Sequence, residues 1–367
     1  MAFNALSKKF IDSSASTISH IWKGFYQMAS NNKNARLIQR IGTHSGVFHC
    51  DEALACFMLK QLPDFADAEI VRTRDETVLE TCNIVVDVGG IYNPKQNRFD
   101  HHQRDFTDSL TSVRPDLAKN RNIKLSSAGL VYAHFGMEVL SEILNKNKIN
   151  VVPASIPSIY LHVYDSFIQE IDAIDNGVPI CSEGQALYQI NSSISARVQK
   201  LNPAWNSKSI QTHDELFQDA MAYVGAEFTD KILEASTIWW PARAIVLKSL
   251  LERNKFYKTG EIIELEERCP WVEHLFSLEE ELNIAGHTKF VLFLDRDQSC
   301  RVQCVPVTPG SFVCRKFLHE DWRGIKDSEL SKVADIDGCI FCHHTGFIGG
   351  NKTKDGALQM AIKSLQS

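Results

Sequence analysis

The stretch "LIQRIGTHSGVFHCDEALACFMLKQL", residues 37–62, decides the fold because it changes period partway along. "LIQRIGT" (37–43) reads as a strand. "DEALACFMLKQL" (51–62) carries the apolar spacing of a helix, with Asp51 and Glu52 favourably placed in its first turn. Between them His44, His49, Asp51 and Glu52 crowd into nine residues, 44–52. Downstream, "AEIVRTR" (68–74) is a second strand, and "NIVVDVGG" (83–90) is a continuous apolar run, the mark of a buried parallel strand. "NRFDHHQ" (97–103) follows a turn around Asn93 and Pro94. Residues 126–144 and 155–177 read as long amphipathic helices, the second ended by Gly177. This alternation predicts an α/β fold, a mainly parallel sheet flanked by helices, over residues 38–177. Such sheets bind ligands beyond the carboxyl ends of their strands. His44, Asp87 and Asp100 all fall at those ends.

Residues 178–212 are poor in pattern and rich in Ser, Asn and Pro, and read as a connector. A smaller α/β domain is expected over 213–367, opening with a helix at His213. Strands follow at 260–266, 288–295 and 300–307, and then "GCIFCHHTGFIGGNKTKDGALQMAIKSL" (338–365) reads as a strand, a glycine turn and a terminal helix. A length of 367 residues suits two domains.

Hydrophobic residues make up 44% of the chain and the formal net charge is −6. No global basic field draws it to nucleic acid, so any such contact must be local, and an acidic balance suits a cation site. Ten cysteines lie mostly in apolar runs, as reduced thiols of an intracellular protein do. No apolar run approaches the ~20 residues of a membrane span, so no membrane insertion is expected. Residues 1–37 read as a disordered or targeting segment. From Met1 to Ile38 there are five Lys or Arg, one acid and many Ser, as in a mitochondrial presequence, and Met28 is a second start-like point. A mitochondrial or nuclear address, or both, follows as an expectation.

Carboxylate and imidazole groups cluster in four places: His44/His49/Asp51, Asp87, Asp100/His101/His102 and Asp165/Asp172/Asp175. Hard and borderline divalent ions take such ligands. Each group alone has a plainer reading as a helix cap, a packed histidine or a solvated helix face. In order they are another matter. His-x4-His-x-Asp, a strand-ending "DVG", "DHH" and a helix-ending "DAIDNG" resemble the motif series of the DHH phosphoesterases. "IGTHSGVFHCDEALACFML", "AEIVRTRD", "IVVDVGGIY", "RFDHHQRDF", "KLSSAGLVY", "EIDAIDNG" and "GFIGGNKTKDGALQMA" resemble, more narrowly, the melanocyte proliferating gene 1 exonuclease family, from about residue 38 to the C-terminus.

That resemblance implies a DHH-type domain followed by a smaller α/β domain, and a metal-dependent 3′-to-5′ RNA exonuclease of mitochondria and nucleus. Its partner would be a single-stranded RNA 3′ end. The implied cofactors are two divalent ions activating a water, with manganese (Mn2+) first and Mg2+ or Zn2+ open. His49 stands where many DHH enzymes carry an aspartate, which moves preference away from magnesium. The implied ligands are His44, His49, Asp51, Asp87 as the bridge, His101 and Asp175, with Asp172 competing for the last place. His102 would act as an acid or bind the scissile phosphate, and Asp100 would orient His101. Substrate phosphates would meet Arg98 and Arg104. In the second half they would meet His343, His344, Lys352, Lys354 and the backbone at Gly349 and Gly350. Glu52 is left to the first turn of its helix. A structural zinc at Cys339-x2-Cys342 is disfavoured because paired knuckles are lacking. Trp239 and Trp240 read as a helix end before they read as base-stacking platforms. Two other functions stay open: a small-substrate phosphohydrolase acting on short oligonucleotides, dinucleotides or pyrophosphate, and a non-catalytic metal- or nucleotide-binding protein.

Overall fold

The computed structural model describes residues 38–181, 186–206 and 211–367, so the targeting segment expected over 1–37 lies outside the described residues. The chain divides into two compact units, one ending at Ser236 and one spanning Thr237–Ser367. Each is mixed α/β.

In the first unit the strands are β1 (Arg40–Thr43), β2 (Glu69–Arg72), β3 (Ile84–Val86), β4 (Tyr92–Asn93) and β5 (Arg98–Phe99), ordered β2-β1-β3-β5-β4. β2, β1, β3 and β5 run parallel, and only β4 pairs antiparallel. Ile84, Val85 and Val86 are all buried, as the continuous apolar run required. The longer helices are α1 (Cys50–Gln61), α2 (Ser127–Lys146), α3 (Ile156–Val163), α4 (Gln169–Asp175) and α5 (His213–Glu234). A π-helical turn, Tyr164–Ile168, joins α3 to α4 without a break, so the single helix read over 155–177 carries one wider turn inside it.

Helix α5 does not open the second unit. It is capped by a reciprocal box, in which Thr212 Oγ1 accepts from Glu215 N at 3.2 Å and Glu215 Oε2 accepts from Thr212 N at 2.7 Å. Its apolar face, with Phe217, Val224 and Phe228 buried, packs on α1 and α2. Gly225 allows that approach, because a Cβ there would overlap the Phe57 ring. The break therefore falls after Ser236 rather than at residue 213, since the apolar face of α5 is completed by the first unit.

In the second unit β6 (Ile262–Glu264), β7 (Phe290–Leu294), β8 (Cys300–Cys304), β9 (Cys339–Cys342) and β10 (Ile348–Asn351) are ordered β6-β7-β8-β10-β9. Only β6 and β7 pair parallel. Alternation along β7 sends Phe290 and Leu292 to one core with Ala357 and Met360. Val291 and Phe293 go to the other, with Val246, Leu250 and Leu275. The helices here are α6 (Trp240–Phe256), α7 (Val272–Glu281), α8 (Asp327–Ala334) and α9 (Lys354–Gln366). Among the described residues no helix is long and apolar enough to cross a membrane.

Candidate metal centre

Strand order reverses beside β1. The chain leaves β1 for β2 on one side and returns to β3 on the other. A crevice opens at such a point, at the carboxyl ends of the parallel strands. His44 follows β1 there and Asp87 follows β3, held at φ +56°, a left-handed conformation that aspartate tolerates better than most side chains. The loop between β1 and α1 is pinned. Arg72 Nη2 donates to Gly46 O at 2.7 Å, and its guanidinium lies 4.6 Å from the centroid of Phe217. Asn202 accepts from Phe48 N at 3.1 Å and donates to Phe48 O at 2.8 Å.

Asp87 lies at the middle. His44 Nε2 sits 3.3 Å from Asp87 Oδ2 and 3.0 Å from Glu52 Oε1. His101 Nε2 lies 3.3 Å from Asp87 Oδ1 and 3.1 Å from Asp175 Oδ2. Asn176 fixes His101. Its amide nitrogen donates to Lys124 O at 3.0 Å and to Asp172 O at 2.9 Å, which leaves its oxygen 3.3 Å from His101 Nδ1. Nδ1 is thus held by Asn176, and Nε2 is the atom presented to the cluster. His102 Nδ1 donates to Asp100 Oδ1 at 2.7 Å, while Asp100 Oδ2 accepts from Gly90 N at 2.6 Å. Asp100 therefore orients His102 rather than His101, because its other oxygen is tied to the β3–β4 loop.

Charge is distributed unevenly. Burial disfavours the charged His44 ring, but Asp87 and Glu52 outweigh it and push its pKa up to about 10. Burial likewise opposes the Asp87 carboxylate, yet His101 and His44 hold it well below the usual range. Asp100 raises His102, and His102 in turn lowers Asp100 against its own burial. Asp51 is the reverse case. Burial, then the like charges of Asp87, Asp175 and Glu52, hold its carboxyl well above the usual range. Asp51 is 1% exposed, and neither of its oxygens has a hydrogen-bond donor among the described residues.

Those orphaned oxygens are what a cation would satisfy. Three groups have ligand atoms all within 4.8 Å of one another: His44, His49, Glu52 and Asp87; Asp87, Asp100, His101 and His102; and His49, Asp51 and Asp175. Asp87 belongs to two of them and His49 to two. The donor chemistry, imidazole with carboxylate, fits borderline divalent ions.

The structure thus brings together His44, His49, Asp51, Asp87, His101 and Asp175. It separates Asp172, whose Oδ1 accepts from Ser126 N at 2.9 Å and from Ser126 Oγ at 2.8 Å, at the start of α2. Burial first, partly offset by Ser126, pushes Asp172 up to about 7. Asp165 is bound by Arg121 at 2.7 Å. Glu52 has a place that its reading as a first-turn residue understated. It accepts from His49 N at 2.9 Å and, fully buried, also faces His44. Its total burial is invisible in the sequence, as is the role of Asn176.

The expected phosphate contacts divide. Arg98 directs its guanidinium to Gln96 O and Cys82 O, at the amino end of the sheet and away from Asp87, while Arg104 is exposed in a turn. In the second unit Gly349 and Gly350 lie inside β10, between β8 and β9, not in a glycine turn. Close packing accounts for them, since a Cβ at Gly349 would press on Leu318 and Met360. Lys354 pairs with Glu264 at 3.0 Å and Lys352 is exposed. The rings of His343 and His344 lie 4.2 Å apart, tilted by 41°, in the β9–β10 turn. Cys339 and Cys342 are buried free thiols, and Trp239 lies 4.3 Å from the ring of His274.

Residues 40–365 match the model of an uncharacterised protein family, UPF0160, that carries the short name MYG1 exonuclease. The MYG1 exonuclease of Mus musculus is 48% identical over 327 residues, covering 89% of this chain and 84% of that protein. The MYG1 exonuclease of Homo sapiens is 46% identical over 327 residues, with 89% and 85% covered. The MYG1 protein of Saccharomyces cerevisiae is 39% identical over 339 residues, with 90% and 97% covered.

Proposed function

Because this chain belongs to the MYG1 exonuclease family, UPF0160, we propose that it is a metal-dependent phosphodiesterase that shortens single-stranded RNA from its 3′ end. The observation that carries the reading is Asp87, shared between His44 and His101, beside a buried Asp51 with no donor. His44, His49, Asp51, Asp87, His101 and Asp175 hold two divalent ions, manganese first, with Glu52 supporting His44. When bound, such a pair supplies an activated water and neutralises phosphate charge.

The chain's own groups do the rest. Asn176 keeps His101 in the tautomer that offers Nε2. Asp100 takes Nδ1 of His102, so Nε2 is the atom left to pass a proton to the leaving oxygen. Asp100 raises the His102 pKa, which favours the protonated form that this role requires. The centre is of the DHH type, and mitochondria and nucleus are the proposed compartments. Tagged chains starting at Met1 and at Met28 should then localise differently.

The test uses end-labelled single-stranded RNA and DNA with manganese, and Asp87→Ala as control. A ladder shrinking from the RNA 3′ end, absent in the variant, is expected. Turnover of dinucleotides without cleavage of any polymer would replace this reading with the small-substrate phosphohydrolase. Equal activity in Asp87→Ala would remove the two-ion centre.

A further inference from the structure

A cavity of about 220 Å3 opens directly on the cluster. It is lined by His44, His49, Asp87, Asp100 and His102, by the Val88–Gly90 turn and by Arg74. Apart from the imidazoles, Arg74 is the one cation in that lining. It stands two residues beyond the end of β2, on the same carboxyl edge of the sheet as His44 and Asp87. Several other arginines of this unit are committed, and Arg104, exposed in its turn, is not part of this lining. Arg72 binds Gly46 and Asp214, Arg98 binds backbone carbonyls, Arg114 binds Asp116 and Arg121 binds Asp165. Arg74 is exposed and has no hydrogen-bond or ion-pair partner among the described residues.

We propose that Arg74 and this cavity form a phosphate subsite, in which the guanidinium takes two non-bridging oxygens of a substrate phosphate beside the metal centre. The proposal rests on the phosphodiesterase reading above and adds the residue that holds the anion. Its physical ground is charge. Asp51, Asp87, Asp100, Asp175 and Glu52 surround the centre, and a phosphate entering among them meets carboxylates on most sides. A planar, permanently charged fork is suited to turn that encounter favourable. Arg74 comes from a loop separate from the ligand loops, so it can grip the phosphate without competing for the ions. The cavity has room for a phosphate group.

The test compares wild type, Arg74→Lys and Arg74→Gln in three measurements. These are calorimetric binding of Mn2+, binding of inorganic phosphate to the manganese-loaded protein, and KM and kcat on a short oligoribonucleotide. Mn2+ affinity should be equal in all three proteins. Arg74→Gln should weaken phosphate binding and raise KM by about ten- to fiftyfold, the loss of a charged hydrogen-bonding partner, with a smaller effect on kcat. Arg74→Lys should lie between, since it keeps charge and loses the fork. Equal phosphate affinity and equal KM in Arg74→Gln, with an active wild type, would overturn the subsite and leave the phosphodiesterase reading standing. An inactive wild type whose phosphate binding still depends on Arg74 would overturn the phosphodiesterase reading and keep the subsite. Weaker Mn2+ binding in Arg74→Gln would make Arg74 a support of the metal loops instead.

Discussion

Replacing Asp51 with asparagine should make the metal-free protein more stable while removing its hold on the metal. In the metal-free state Asp51 is buried, lacks a donor for either oxygen, and faces Asp87, Asp175 and Glu52. Asparagine keeps the shape, deletes the charge and brings an NH2 that can donate to a neighbouring carboxylate. Leaving a buried polar group unsatisfied costs ~1–3 kcal/mol, and more when it is charged. In a unit of roughly 150–250 residues each kcal/mol moves Tm by about 2–4 °C. Asp51→Asn should therefore melt about 2–12 °C above wild type in chelator. The gap also has a sign in pH. A carboxyl whose folded pKa is raised contributes most below its unfolded value, near 3.9, and its contribution declines as pH climbs toward the folded value. Wild type should thus fall further behind the variant as pH rises above that unfolded value. Saturating manganese should invert the order, since a ligand at 100 times its Kd adds ~2.7 kcal/mol to the protein that binds it. Differential scanning calorimetry in chelator and in manganese, at several pH values, reads all of this. A variant that melts below wild type in chelator, by a margin independent of pH, would refute the reasoning.

Asn176→Ala frees the His101 tautomer and should weaken manganese binding by about 10–100-fold, measured by titration calorimetry. Asp100→Asn should lower kcat about a hundredfold or more, the scale of general acid catalysis, and shift the alkaline limb of the pH–rate profile to lower pH, with manganese affinity retained. Gly225→Ala forces α5 away from Phe57 and should destabilise the fold by ~1–3 kcal/mol in denaturant titration, without altering the centre directly.

Much of this architecture is legible in the residues. The period change after Thr43 separates β1 from α1, and the unbroken apolar run at 84–86 marks a strand covered on both faces. Groups far apart in sequence converge because parallel strands end at one edge. What escapes reading depends on direction and contact. Asp172 and Asp175 are three apart on one helix, and only the seat of Ser126 on Asp172 separates the structural carboxylate from the one facing His101. Glu52 bears the spacing of a cap and acts as one, which conceals that it also faces His44. Asp100 is nearer His101 in sequence, but its oxygens are fixed by Gly90 and His102. The 349–350 glycines match a turn in composition and serve in a strand, because the demand there is closeness to Met360 and not backbone freedom.

The π-helical turn at Tyr164–Ile168 takes up one residue more than α-helical winding needs, and so keeps the helical segments on either side of it in phase. Removing the exposed Ser166 would restore regular winding and leave Asp172 on Ser126 and Asp175 facing His101. Removing a residue from the first turn of α4 would instead rotate both acids by about 100°. Residue-by-residue substitution would pass over this difference. A scan of single-codon deletions would find it, as a tolerated loss in the wide turn beside a damaging one in the helix that carries the ligand.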